Sequence, residues 1–190
     1  MQEGIFKYGI IVGRFQHIHK GHQKLIEIGL RLCDKLLIFI GSANQKISSR
    51  NPYTYEYRKL LIETIYQDEV KTGKIIIAPL NDFKDSRALT PLWGDYVLKS
   101  AKDILGGYPN CIIYGKDKDI FRCFSKEAVK KLTEVYVDRD SLMISATKMR
   151  NYLLEDNIEE WKKFSDEKIH DKYYELKEKL EQYYCKKNKI

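Results

Sequence analysis

The pattern most informative about the fold of this 190-residue chain is YGIIVGRFQHIHKGH, at residues 8–22. It opens with a short apolar run between Tyr8 and Gly13, and continuous runs rich in Ile and Val are typical of strands buried on both faces. After His22, apolar residues recur at helical spacing, at Leu25, Ile28, Gly29 and Leu32. The stretch therefore predicts a strand, a short loop and a helix, in that order.

The same alternation continues along the chain. Four more apolar runs predict strands at residues 35–41, 74–80, 111–115 and 134–137. Helical spacing of Tyr57, Leu61 and Ile65 follows the tetrapeptide NPYT, and Thr54 is a suitable first residue for that helix. Alternating strands and helices of this kind predict an α/β protein with a Rossmann-like, doubly wound, parallel sheet of five strands.

Residues 156–190 show only a helical pattern, among many Lys and Glu residues. The apolar positions are Ile169, Tyr173, Leu176, Leu180 and Tyr183. They predict an amphipathic helix, and no linker or internal repeat marks a second domain. We expect a helical C-terminal extension that packs on its own domain, with a dimer interface or a lid as the alternatives. A homo-oligomer is thus possible.

Composition narrows the classes of function. The formal net charge is +7, which suits nucleic acid, an anionic membrane surface or small polyanionic substrates as partners. No basic stripe with interleaved aromatic residues supports nucleic-acid binding. No apolar run approaches the roughly 20 residues of a membrane span, and the first residues do not resemble a signal peptide. The four cysteines are widely spaced, so we expect neither a zinc site nor a disulfide framework, and we expect a cytoplasmic protein.

The loop GRFQHIHKGH lies where the first strand ends and the first helix begins. This is the carboxyl edge of a parallel sheet, where open α/β folds bind ligands. Free N–H groups at a helix start attract anions, while Gly13 and Gly21 let a ligand approach the backbone. His19 and His22 can present ring N–H groups to one phosphate chain, and Arg14 adds a fork for phosphate oxygens. A histidine-rich capping loop and a metal site are the alternatives, although no neighbouring carboxylate or cysteine supports the latter.

Two motifs in this chain resemble those of the nucleotidylyltransferase superfamily. GRFQHIHKGH is similar to its first motif, G-R-F-Q-P-x-H-x-G-H, with His17 in the place of proline. ISATKMR, residues 144–150, is similar to its second motif, I-S-S/G-T-x-x-R, with Ala146 in the place of serine or glycine. The resemblance implies that Ser145 and Thr147 cap a helix and that Arg150 reaches a triphosphate from its first turn.

Three further segments resemble nicotinamide-mononucleotide adenylyltransferases. IGSANQKISSRNPYTYEYR, residues 40–58, is similar to the G-S-A…N-P-F-T-x-x-x-R segment of the archaeal type. PLWGDYV, residues 91–97, resembles their L-W stretch, whose tryptophan stacks on nicotinamide. YGKDKD, residues 114–119, resembles a loop of bacterial members that carry an added Nudix domain. The resemblance implies a nucleotidylyltransferase domain over residues 1–155, with 156–190 as its extension.

The reaction that the resemblance implies is adenylyl transfer from ATP to nicotinamide mononucleotide, giving NAD and pyrophosphate. The attacking phosphate, with a second pKa of about 6, is largely ionised at pH 7, so no general base is required. Mg²⁺ is implied as a cofactor held mainly by the ATP phosphates, with no protein ligand. Neither nucleic acid nor a membrane is expected as a partner.

The resemblance also assigns residues to these roles. Catalysis falls to His19, His22 and Arg14. ATP binding falls to Gly13, Arg14, His19, Gly21, His22, Gly115, Ser145, Thr147 and Arg150. The pyridine nucleotide falls to Ser42, Arg58, Asp82 and Trp93. Trp161 is assigned to packing alone, and Arg87 stands near a position where the family usually has asparagine.

Other functions stay open at this point. A sister adenylyltransferase would act on nicotinate mononucleotide or phosphopantetheine. A non-catalytic dinucleotide sensor on the same fold is a different class, although the complete H-x-G-H argues against it. The chain lacks a glycine loop ending in Gly-Lys-Ser/Thr, which disfavours a P-loop kinase. It is also too short for a class I aminoacyl-tRNA synthetase and lacks the K-M-S-K-S motif.

Overall fold

The computed structural model describes residues 4–82, 91–115, 123–138 and 143–187, with the backbone alone for 184–187. Within these residues the sheet has five strands, all parallel, in the order β3-β2-β1-β4-β5. They are β1 (Phe6–Gly13), β2 (Cys33–Ile40), β3 (Ile75–Pro79), β4 (Cys111–Tyr114) and β5 (Thr133–Tyr136). The predicted parallel five-stranded sheet is confirmed. Its order reverses between β1 and β4, and the carboxyl ends of those two strands form the crevice where such sheets bind ligands.

Helices cover both faces of the sheet. They are α1 (Lys20–Leu32), α2 (Tyr55–Ile65), α3 (Gln67–Lys71), α4 (Pro91–Leu105), α5 (Lys126–Val129), α6 (Ala146–Leu154), α7 (Ile158–Phe164) and α8 (Tyr173–Lys187), with a 3-10 helix at Glu167–Lys172. Alternate strand residues pack into two cores. Ile11 and Ile38 meet α1, α2 and the C-terminal helices on one face, while Ile10 and Leu37 meet α4 on the other.

Side-chain caps explain where several helices begin. The Oγ1 atom of Thr54 accepts a hydrogen bond from the Tyr57 N–H (3.3 Å), so the predicted start of α2 is correct. The Oγ atom of Ser145 caps α6 in the same way, by accepting from the Lys148 N–H at 3.2 Å. The expectation that Thr147 also caps this helix is wrong, because Thr147 lies inside the first turn and its hydroxyl accepts from Arg150 instead.

The C-terminal extension packs on the face of the sheet that α1 and α2 cover. Its apolar residues belong to the same core as Ile11, and those that are fully buried or nearly so are Trp161, Ile169, Tyr173, Leu176 and Leu180. The predicted helix is present, but it begins at Tyr173, because Ile169 lies in the preceding 3-10 helix. Among the described residues, no helix combines the length and apolar character needed to cross a membrane.

Candidate active site at the carboxyl ends of β1 and β4

The loop after β1 is built on a strained, buried phenylalanine. Phe15 has a φ of +50°, in the left-handed region, and its side chain is 2% exposed. Its ring lies 4.8 Å from the ring of His22, centroid to centroid. A Cβ atom at Gly13 would come within 3.0 Å of the Phe15 ring, which explains the glycine there. Phe15 therefore packs against the ring of His22, a contact that the sequence did not predict.

His19 caps the first turn of α1. Its Nδ1 atom accepts a hydrogen bond from the Gly21 N–H at 3.1 Å, so the ring proton of the neutral imidazole lies on Nε2. The His19 and His22 rings lie 3.9 Å apart. A Cβ atom at Gly21 would lie 2.9 Å from Cε1 of His19, so only glycine leaves this ring in place. The two predicted histidines thus lie side by side at a helix start.

The second motif meets the first at this point. Nη1 of Arg150 donates to the carbonyl oxygen of Gln16, and Nη2 donates to Oγ1 of Thr147 at 3.2 Å. Ile144 approaches α1 from the same side, because its Cγ2 atom would lie 3.5 Å from a Cβ atom at Gly21. The structure therefore brings together two motifs that lie about 125 residues apart in the sequence.

Positive charge collects beside this loop. Burial and, after it, the charge of Arg50 lower the pKa of Arg14, while Asp82 acts in the opposite sense. The Nη1 atom of Arg14 lies 3.5 Å from the Arg50 carbonyl oxygen. Arg14 thus lies within electrostatic reach of Arg50, and the planar fork of a guanidinium matches the oxygens of a phosphate. Sequence reasoning missed Arg50, although it directly precedes the NPYT segment.

Arg58 lies beneath the loops, with its side chain 2% exposed. Nη1 donates to the carbonyl oxygens of Arg14 and Gly41 at 2.6 and 2.8 Å. Nε and Nη2 donate to the carbonyl oxygens of Thr54 and Ser42 at 3.1 and 3.4 Å. Burial lowers the pKa of Arg58 to about 10. All three nitrogens thus donate to backbone carbonyls, so Arg58 holds the loops together, and its predicted contact with the pyridine nucleotide stays a prediction.

The other three residues predicted to hold the pyridine nucleotide, besides Arg58 in α2, follow β2 and β3 or begin α4. Ser42 is 7% exposed and has a φ of +51°. The N–H of Asp82 donates to the side-chain oxygen of Asn44 at 2.9 Å, which joins the loops after β2 and β3. Trp93 lies half-buried in the first turn of α4, with its ring 6.2 Å from that of Phe124. Gly115, assigned to ATP, is buried directly after β4.

Comparisons with known proteins assign the family. The family model described as cytidylyltransferase-like matches residues 10–183. The chain belongs to this family. Among curated proteins, nicotinamide-nucleotide adenylyltransferase of Archaeoglobus fulgidus is 30% identical, over 83% of this chain and 85% of that protein. The same enzyme of Thermococcus sibiricus is 25% identical, over 89% of this chain and 84% of that protein.

Solved structures share the fold of this cytidylyltransferase-like chain. A bifunctional NMN adenylyltransferase/ADP ribose pyrophosphatase of Francisella tularensis, complexed with AMP and a manganese ion, superposes with a TM-score of 0.69 at 23% identity. The match covers 92% of this chain but only 52% of that one, so this chain spans about half of the Francisella protein. Nicotinic acid mononucleotide adenylyltransferase of Plasmodium falciparum, complexed with NaAD, gives a TM-score of 0.57 at 18% identity, over 90% of this chain and 97% of that one.

The nucleotidylyltransferase resemblance and the Rossmann-like fold predicted from the sequence are thereby confirmed. The individual site residues stay predictions. Arg87 and residues 116–119, which the sequence placed near the substrates, lie outside the described residues.

The side chains gathered at the loop after β1 are poor ligands for Mg²⁺. Among the described residues, no three His, Cys, Asp or Glu side chains come together in a way that could hold a metal ion. The groups gathered beside His19 are imidazole and guanidinium, and a guanidinium has no lone pair to offer a cation. Mg²⁺ prefers oxygen ligands and keeps several waters, so the phosphate oxygens of ATP would hold it here.

Proposed function

We propose that this protein transfers the adenylyl group of ATP to nicotinamide mononucleotide, releasing pyrophosphate and forming NAD. One observation carries the proposal: the hydrogen bond from Arg150 to the Gln16 carbonyl joins the two motifs beside the start of α1. This junction gathers a helix N-terminus, two imidazoles and several guanidinium groups at the sheet edge where α/β folds bind nucleotides.

The first catalytic contribution is the placement of two anions against each other. The pyridine mononucleotide supplies the nucleophile, a phosphate oxygen that is already ionised, and its attack on the α-phosphorus of ATP breaks the bond to the β-phosphate. Holding both reactants in line converts a bimolecular step into an effectively unimolecular one. The guanidinium groups of Arg14 and Arg50 offset the repulsion between the two phosphate groups.

The second contribution is stabilisation of the departing pyrophosphate. His19 presents its Nε2–H, because its Nδ1 already accepts from Gly21. The His22 ring lies against it, and Arg150 contacts the same loop at the Gln16 carbonyl. Donors fixed before the reaction stabilise developing charge without the cost of reorganisation. Mg²⁺, entering as Mg·ATP, neutralises part of the triphosphate charge.

The pyridine ring is assigned to Trp93. The chain after β3 returns as α4, so the first turn of this helix lies at the same edge of the sheet as the loop between β1 and α1. We call this loop the phosphate-binding loop, after its proposed role. A half-buried indole there offers an aromatic face to a ring that is cationic in the mononucleotide. We place the adenine side near Gly115, at the end of β4.

An acceptor panel tests the proposal. Purified protein is incubated with Mg·ATP and, separately, nicotinamide mononucleotide, nicotinate mononucleotide and phosphopantetheine, and each product is identified by mass. We expect NAD together with pyrophosphate. Product from phosphopantetheine alone, or faster product from the nicotinate form, would assign the site to that acceptor. No product from any acceptor would favour a dinucleotide sensor and reject the proposal.

A further inference from the structure

His17 forms a buried connection from the phosphate-binding loop to the C-terminal extension. It is 0% exposed and stands where the first motif of the superfamily usually has proline. Its Nδ1 atom faces the carbonyl oxygen of Ile18, and its Nε2 atom lies 3.0 Å from the indole Nε1 of Trp161. A carbonyl oxygen can only accept and an indole N–H can only donate. His17 is therefore neutral, with its proton on Nδ1 and its Nε2 accepting from Trp161.

Trp161 ties this bond to the body of the extension. It lies in α7, is 0% exposed, and packs edge-on against Tyr173 with ring centroids 5.2 Å apart. The hydroxyl of Tyr173 donates to Asp156 at 3.1 Å, so this ring is anchored within the extension. Trp161 was expected to serve packing alone. The structure adds a directional hydrogen bond, and losing one partner would leave a buried polar atom unpaired.

Residues on either side of His17 contribute to the candidate site. The side-chain amide of Gln16 forms two hydrogen bonds with the backbone of Tyr53, at 2.9 and 3.0 Å, and its carbonyl accepts from Arg150. Two residues after His17, His19 caps the start of α1. A displacement of the His17 ring would therefore move the segment that carries Arg150's acceptor and the first imidazole.

The C-terminal extension also contacts the loop between β2 and α2. The hydroxyl of Tyr53 donates to the carbonyl oxygen of Leu176 in α8, at 3.2 Å. Gln23 of α1 donates to the carboxylate of Asp166 at 2.6 Å. The C-terminal extension thus forms hydrogen bonds with Tyr53, whose backbone binds Gln16 of the loop after β1, and with Gln23 in α1, which follows that loop.

We propose that His17 and Trp161 are positioning residues, through whose hydrogen bond the C-terminal extension holds the phosphate-binding loop in the geometry that binds ATP. This inference rests on the proposed role of that loop in ATP binding. Neither side chain contacts substrate. Their effect is to fix the placement of His19 and of the Arg150 acceptor, and small misplacements of binding groups reduce rates strongly.

Two matched variants test the proposal. Trp161→Phe keeps an aromatic ring but removes the N–H donor to His17. Tyr173→Phe removes one partly buried hydrogen bond of the same cluster, the bond to Asp156, without touching the loop. The dissociation constant of Mg·ATP is measured by calorimetry, together with melting temperature and the Michaelis constants for both substrates. We expect Trp161→Phe to weaken Mg·ATP binding about 10-fold and Tyr173→Phe less than about 2-fold, with little change for the mononucleotide. Equal effects of the two variants on Mg·ATP, or none, would overturn the proposal.

A second pair keeps the test decisive if Trp161→Phe does not fold. His17→Gln retains an acceptor at about the reach of Nε2, whereas His17→Leu has none. We expect His17→Gln to bind Mg·ATP within about 3-fold of the parent and His17→Leu to lose about 10-fold. Equal behaviour would overturn the proposal. A parent that binds Mg·ATP without making a dinucleotide would reject only the proposed reaction, while a parent that binds no Mg·ATP would reject both.

Discussion

Backbone strain marks two residues at the candidate site. Phe15 and Ser42 have φ values of +50° and +51°, and they follow the carboxyl ends of β1 and β2. Neither is glycine, so each conformation costs about 1–3 kcal/mol and persists only where its surroundings enforce it. At Ser42 the carbonyl accepts from buried Arg58, and at Phe15 the ring is enclosed in the core. Strain of this kind concentrates where a site must be held in one geometry.

Replacing the second histidine tests the electrostatic role of the loop. We expect His22→Ala to lower kcat by about 10²-fold, the scale of losing one donor aligned with developing charge. Its melting temperature should change little, because His22 is only half-buried and contacts Phe15 by one face. Steady-state kinetics and thermal unfolding decide the matter. Full activity, or simple unfolding, would show that His22 serves the structure alone.

His17 gives the stability of the protein a pH dependence of known sign. Burial, followed by the charge of Arg150, lowers the pKa of His17 to about 4, against 6.5 for an exposed histidine. The unfolded chain therefore binds a proton that the folded chain does not, and stability falls as the pH drops from about 6.5 to about 4. The loss amounts to about 3 kcal/mol.

The measurement is denaturant unfolding across that pH window, with His17→Gln as the control. The rings of Tyr53 and Trp161 face His17, and both residues are common to the parent and the variant. His170, which contacts Trp161, is common to both proteins. We expect the variant to lose less stability than the parent between pH 6.5 and pH 4, by about 3 kcal/mol. Parallel profiles would contradict the buried, neutral state of His17.

At the scale of elements, α6 matters because it carries Arg150 to the loop after β1. We expect Arg150→Ala to raise the Michaelis constant for ATP about 10-fold or more, with a smaller effect on the mononucleotide, since a charged hydrogen bond contributes about 1.5–3 kcal/mol. Arg31→Ala, at the exposed last turn of α1, is the matched control and should leave both constants unchanged. If only the pyridine constant responds, the second motif has been assigned to the wrong substrate.

The first turn of α4 carries the predicted pyridine platform. Nicotinamide mononucleotide should quench the fluorescence of Trp93, and ATP should quench it much less, because stacking and cation–π attraction act on the pyridine ring alone. The quench should survive in Trp161→Phe and vanish in Trp93→Phe. Trp93→Ala should raise the Michaelis constant of the mononucleotide roughly 5- to 150-fold, for about 1–3 kcal/mol of contact energy. A quench that persists in Trp93→Phe would place the pyridine ring elsewhere.

Strands and helix starts could be predicted because local patterns fix them. Five apolar runs became five strands, and Thr54 and Ser145 cap helices since their hydroxyls reach N–H groups three residues away. The fate of Arg58 could not be predicted in this way. The sequence suggests a ligand contact for Arg58, which stays a prediction, but it does not show the four backbone carbonyls around this side chain, because they come from three separate segments of the chain.

The bond between His17 and Trp161 escaped prediction for the same physical reason. It joins residues 144 positions apart, and no local pattern marks a long-range pairing of two buried side chains. The superfamily motifs located the loop correctly but described position 17 only as a departure from proline. Similarly, the sequence of neither motif shows that Ile144 lies beside Gly21.

The sheet, the loops at its carboxyl edge and the C-terminal extension each contribute differently to the candidate site. The parallel sheet brings the carboxyl ends of β1 and β4 to one edge, and the loops there carry the cationic groups that we propose bind the two phosphate-bearing substrates. A net charge of +7 favours the approach of both. The C-terminal extension shares one core with α1 and α2, and its Trp161 donates a hydrogen bond to His17 in the phosphate-binding loop.

The central claim is that a phosphate oxygen of nicotinamide mononucleotide attacks the α-phosphorus of ATP. The most direct test uses nicotinamide mononucleotide labelled with ¹⁸O in its phosphate group, incubated with Mg·ATP and the protein. Mass spectrometry then follows the label in both products. We expect NAD to retain all of the label and pyrophosphate to carry none, because the attacking oxygen comes from the mononucleotide. Label in the pyrophosphate, or no NAD at all, would contradict it.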